Sequence, residues 1–124
     1  MSASINALKL AQLAAQEAAD KLGTQIVAID VSDVFPLADI FLIITAANDR
    51  QVRSIADAIS EKLAEENIKS VQTEGIAEGR WALLDFNDVI VHIQHAEERI
   101  FYDLERLWRD CPEVELDLVA VDQR

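Results

Sequence analysis

Several residues of the sequence invite a catalytic reading. Asp30, Asp39, Glu74 and Asp85 each stand near the end of an apolar stretch, and His92 and His95 lie close to Asp85 and Asp88. Paired carboxylates at strand ends can hold magnesium against a triphosphate, as in nucleotidyltransferases, but that chemistry wants a glycine-serine turn and two aspartates alternating on one strand. Asp39 stands without either. His92 and His95, three positions apart on an expected strand, point to opposite faces and do not readily share an ion, so no metal is expected. His92 is expected to be a partly buried, hydrogen-bonded side chain on the sheet side that Ile90 also faces. Cys111 is the only cysteine, which excludes an internal disulfide, and it has no base beside it in sequence to make it a nucleophile. Gly23, Gly75 and Gly79 are too scattered to close around a phosphate ahead of a helix, so no nucleotide cofactor is expected.

Recognition is the other chemistry on offer, and it concentrates in "RIFYDLERLW", residues 99–108. At about 100° of rotation per residue, Leu107, Ile100, Leu104, Trp108 and Phe101 fall within an arc of roughly 120°, the expected core-facing stripe. Tyr102 falls outside it, beside Glu105, Arg106 and Arg109. An aromatic on a polar helical face buries much area for little entropy when a partner covers it; folding down over a neighbouring strand is the alternative. Trp81, at the start of a strand after a glycine pair, is open to the same two readings.

The elements that must position these residues follow from periodicity and punctuation. Ser4 can cap a helix with Ile5, Leu8, Ala11, Ala15, Ala18 and Leu22 on one side, ending at Gly23 in a left-handed turn. Residues 25–31 read as a strand, and 38–47, apolar on both faces, as the buried centre of a sheet. Asn48 with Gln51 forms a capping box for a helix running to about Glu66, which with the alternating stretch 68–74 suggests a βαβ crossover. "RWALLDF" and "DVIVHIQ" imply an antiparallel hairpin turning at Asn87, and residues 99–109 the last helix. The order is helix, strand, strand, helix, three strands, helix: an α/β fold with a single mixed five-stranded sheet and flanking helices. Residues 1–111 form one domain on this reading, and 112–124 an acidic tail that is either a short edge strand or loose.

With 124 residues the chain has room for one core. Its 23 acidic and 11 basic residues give a formal charge of -12, which repels phosphate backbones and anionic membranes and attracts basic proteins. Direct nucleic-acid binding through a basic groove is therefore not expected. No apolar run approaches the ~20 residues that cross a bilayer, and Lys9, Gln12, Gln16, Glu17 and Asp20 interrupt any leader-like stretch. A cytoplasmic protein with no membrane association is expected.

Taken in order, "DVSDVFPLADIFLIITA", "NDRQVRSIADAI", Glu74-Gly75, "WALLDFNDVIVHI" and "RIFYDLERLW" resemble the ribosomal silencing factors, the RsfS or Iojap family. The combination of Trp81, Asp85, Asp88, His92, Arg99, Tyr102, Leu104, Glu105 and Trp108 carries the resemblance, which covers roughly Ile5 to Asp110. Two positions depart from the family pattern: Ile40 stands where an aromatic is frequent, and Ala46 where a glycine is. The resemblance implies a nucleotidyltransferase-like fold without enzymatic activity, and a translational repressor that needs no cofactor. It would bind the large ribosomal subunit through the ribosomal protein numbered fourteen, prevent the small subunit from joining, and lower translation when nutrients are short. Trp81, Asp85, Asp88, Arg99, Tyr102 and Glu105 would be its partner-binding residues. A nucleotide-handling enzyme of the nucleotidyltransferase type is the alternative function, and a homodimer through a sheet edge or the exposed aromatics is compatible with either.

Overall fold

In the computed structural model, which describes residues 2–119, helix α1 (Ile5–Asp20) starts at Ser4, whose hydroxyl accepts the Ala7 amide at 3.1 Å. Its buried side is Ala7, Leu10, Ala11, Ala14, Ala15 and Ala18, while Ile5, Leu8 and Leu22 of the expected stripe are exposed. Small side chains let the backbone approach the sheet, and the helix is rotated to put its alanines there. The left-handed residue that ends it is Leu22 and not Gly23. Gly23 serves a close approach instead: a β-carbon there would stand 2.9 Å from Ile44 Cγ2 and 3.0 Å from the Ala18 carbonyl.

Strands β1 (Thr24–Asp30) and β2 (Ile40–Ala46) pair antiparallel, and every residue of β2 is buried, as its unbroken apolar run requires. Asn48 caps α2 (Asp49–Glu65) by accepting the Gln51 amide, and Gln51 Oε1 returns the bond to Ala47, the next residue back. β3 (Gln72–Glu74), β4 (Trp81–Asp85) and β5 (Val89–His95) follow, with the β4–β5 turn at Asn87 in the left-handed region. The chain ends in α3 (Ala96–Tyr102), α4 (Leu104–Leu107) and β6 (Glu113–Val114).

The mixed sheet runs β3-β4-β5-β2-β1-β6, with only β2 and β5 parallel. It has six strands, one more than the sequence suggested, because the outer edge of β1 needs hydrogen-bond partners: Ala28 pairs with Val114, and the Asp30 amide donates to the Pro112 carbonyl at 2.8 Å. The crossover after β2 also lands differently. β3 lies at the far edge, beyond β5 and β4, since its exposed polar residues cannot take the buried place beside β2 that β5 fills.

Helices α1 and α2 cover one face of the sheet, packing on Ile40, Leu42, Ile44, Val89, Val91, Ile93, Ala82 and Leu84. The other face carries a smaller cluster of Ile29, Val31, Phe41 and Ile43, covered by Phe35, Leu104 and Trp108. The last helix is not continuous. Asp103, at φ 44°, breaks it, and the break moves the phase of the stripe. Leu104 and Trp108 remain on the core, Trp108 edge-on to Phe41 at 5.1 Å and to Phe35 at 6.0 Å between ring centroids. Ile100, Phe101 and Leu107, which an unbroken helix would bury, are 80%, 81% and 72% exposed.

Candidate partner-docking face

Alternation along β4 puts Trp81, Leu83 and Asp85 on the sheet face opposite α1 and α2, where Leu83 is paired across the ladder with His92. Phe41 and Trp108 roof the β2 side of this face, and the β4 side is half open. The loop from Gly75 to Gly79 sets where Trp81 begins. Both glycines have positive φ, and a β-carbon on Gly75 would fall 2.0 Å from the Trp81 carbonyl oxygen. Arg80, next to Trp81, ties the strand to the start of α3 by donating to Glu98 at 2.6 Å.

Trp81 Nε1 donates to His92 Nδ1 at 3.1 Å. Indole N–H is only a donor, so Nδ1 is the unprotonated nitrogen and the neutral imidazole carries its proton on Nε2. Burial favours that neutral form, pushing the His92 pKa down to about 4. His92 is therefore the buried, hydrogen-bonded histidine expected, on the Ile90 side of the sheet, and it orients the indole. Tyr102 also lies against Trp81, tilted at 48° with 4.6 Å between ring centroids, and Phe101 packs edge-on to Tyr102 at 5.0 Å. The result is an aromatic ridge of Trp81, Tyr102 and Phe101 with grooves on both flanks. One groove is lined by Arg80, Glu97 and Glu98, the other, of about 530 Å³, by Asp103, Arg106, Leu107, Arg109 and Asp110.

The six site residues expected from sequence divide three ways. Trp81, Asp85 and Tyr102 come to the open face. Asp85 also accepts the Asn87 amide at 2.9 Å, holding the hairpin turn. Asp88 lines a separate groove with Leu10, Leu13 and Phe86 on the α1 side. Arg99 and Glu105 are joined to each other across α3 and α4: Arg99 is buried, and its Nε and Nη2 both donate to Oε1 of the half-exposed Glu105, at 3.0 and 2.8 Å. Sequence reasoning missed Leu83, Ile100, Phe101 and Leu107, because it placed the last three in the core of an unbroken helix.

Three of the four carboxylates that suggested catalysis, Asp30, Asp39 and Asp85, have structural partners. Asp30 accepts the Ala3 amide at 2.8 Å and the Ser32 hydroxyl at 2.6 Å, and Asp39 accepts the Ser4 amide at 2.9 Å, so together they seat the start of α1. Burial pushes the Asp30 carboxyl up, but the bonds from Ser32 and Ala3 outweigh it and hold the group below its usual range. Glu74 is exposed on the edge strand β3. His95 Nδ1 accepts the Glu97 amide at 3.1 Å and caps α3. No group of three His, Cys, Asp or Glu side chains among the described residues is arranged to hold a metal, and no described helix is long and apolar enough to cross a membrane.

Comparison with known proteins agrees with this fold. The family model described as "ribosomal silencing factor during starvation" matches residues 4–124, so the match continues through the segment after Cys111. Ribosomal silencing factor RsfS of Bacillus subtilis is 39% identical over 91% of this chain and 96% of its own length. The same factor of Halalkalibacterium halodurans is 39% identical over 88% and 93%. A crystal structure of a Chromobacterium violaceum protein superposes with a TM-score of 0.79 at 30% identity, covering 90% of this chain and 92% of that one. Shared sequence over nearly the full length, on a shared fold, means that the chain belongs to the RsfS family of ribosomal silencing factors.

Proposed function

We propose that this protein is a ribosome-associated repressor of translation under starvation. It docks on the large ribosomal subunit, through the protein numbered fourteen, and blocks joining of the small subunit. It acts in the cytoplasm by occupying a surface and needs no cofactor. Family membership supports the ribosome as partner, and one observation supports docking through this face: Phe101, Tyr102 and Leu107 line one groove and are 81%, 46% and 72% exposed, and Tyr102 lies against Trp81. Contiguous exposed apolar area of this kind marks interaction sites, and aromatics make the strongest anchors. The formal charge of -12 favours a basic partner such as a ribosomal protein.

The test is sedimentation of the protein with separated subunits, followed by small-subunit joining. Co-migration with the large subunit alone and a loss of joined particles are expected. Binding to neither subunit, or binding without any effect on joining, would overturn the reading.

A further inference from the structure

We propose that Arg99 and Glu105 are positioning residues for the docking face: they set its geometry from within and do not contact the partner. This rests on the docking reading above. The apolar surface of α3 and α4 faces outward because the helix breaks at Asp103, a residue with a β-carbon held at φ 44°. Such a conformation persists only where the surroundings over-determine it. The groups that span the break are those of Arg99 and Glu105. Arg99, in α3, is only 6% exposed and donates twice to Glu105 in α4, while its Nη1 donates to Thr45 Oγ1 on β2 at 2.9 Å. Thr45 Oγ1 in turn donates to Gln25 Oε1 on β1 at 3.1 Å. The Arg99 carbonyl also accepts the Asp103 amide at 3.1 Å. One guanidinium thus joins both short helices to the centre of the sheet.

Neither helix could hold this angle alone, since pieces of seven and four residues are far below the length at which a helix is stable by itself. With the bridge in place, Leu104 and Trp108 pack on Phe35 and Phe41, Tyr102 lies tilted against Trp81, and Ile100, Phe101 and Leu107 are left outside. Without it, the chain is free to re-form one helix and turn those residues inward. Arg99 Nη1 points into the protein at Thr45, and Nε and Nη2 are taken up by Glu105, whose own side chain is 42% exposed; at 6% exposure Arg99 has little of its charge left to offer a partner.

Glu105→Ala, Glu105→Gln, Arg99→Met and the double variant Arg99→Met with Glu105→Ala decide the matter, each read by large-subunit affinity at several salt concentrations and by near-ultraviolet circular dichroism. The contribution of Tyr102 to that spectrum is defined by subtracting the spectrum of Tyr102→Ala. Glu105→Ala is expected to lose this contribution and to bind at least roughly tenfold more weakly, and the double variant no more weakly than the worse single one, as coupled residues do. Glu105→Gln, whose Oε1 still accepts from Arg99, is expected to stay within about threefold of the unaltered protein with the same salt dependence. A folded Glu105→Gln that loses roughly tenfold with a shallower salt dependence overturns the proposal, because it marks a direct ionic contact. An unchanged Tyr102 contribution in Glu105→Ala also overturns it. If the unaltered protein does not bind the large subunit, the docking reading falls, and the spectra alone still judge whether the pair sets the geometry.

Discussion

Tyr102 and Trp108 stand six residues apart in one aromatic stretch and have opposite roles. Tyr102 is 46% exposed on the ridge, whereas Trp108 packs edge-on to both Phe35 and Phe41. Tyr102→Ala should therefore weaken large-subunit binding by roughly tenfold or more while leaving the thermal midpoint nearly unchanged. Trp108→Ala should cost about 3 kcal/mol in denaturant unfolding, the loss of a large ring from a small cluster. His92 makes a separate claim. With its pKa depressed from 6.5 to about 4, the folded state binds fewer protons than the unfolded chain between those values. The contribution of His92 is thus complete above pH 6.5 and lost as the pH falls towards 4, by about 3 kcal/mol at most. Unfolding measured across that range should show the slope, and His92→Gln, which does not titrate, should flatten it.

Among the elements, the segment after Cys111 contributes more to the fold than its composition suggests. β6 covers the edge of β1, Val114, Leu116 and Leu118 pack on the main core, and two glutamines of α1 treat the chain as a strand would. Gln12 exchanges two hydrogen bonds with the Asp117 backbone at 2.7 and 2.9 Å, and Gln16 two with Val119 at 3.0 and 2.8 Å. Deleting residues 113–124 should lower the thermal midpoint and, by freeing the β1 edge, promote self-association visible in light scattering. A deletion variant as stable and monodisperse as the full chain would show that the strap is dispensable. Alternation of charged and apolar residues at 113–118 was compatible with a strand, yet nothing local says which edge it joins. Element types were legible elsewhere from strong local signals: the Asn48 capping box, the apolar run of β2, and the Asn87 turn. The break at Asp103 was not, because the helical periodicity of the stretch is good on both sides of it and the bonds that hold the break come from β2 and from Glu105.

For the whole molecule, the formal charge of -12 predicts how the protein meets its partner. Association with a basic ribosomal protein should slow several-fold between low and physiological salt, with dissociation much less affected, in stopped-flow or surface-based kinetics. Salt-independent association would mean that the charge serves solubility alone. The net charge, the α/β class, the central buried strand and the hairpin were determined by the sequence, because each depends on composition or on residues within a few positions of one another, and the family by the order of such local segments along nearly the whole chain. The tertiary structure alone decided the sixth strand, the placement of β3 at the far edge, and the outward turn of Ile100, Phe101 and Leu107. Which of two equally apolar sides a short helix buries depends on contacts between residues far apart in the chain, here Arg99 with Thr45 and Trp81 with Tyr102, and no local period encodes them.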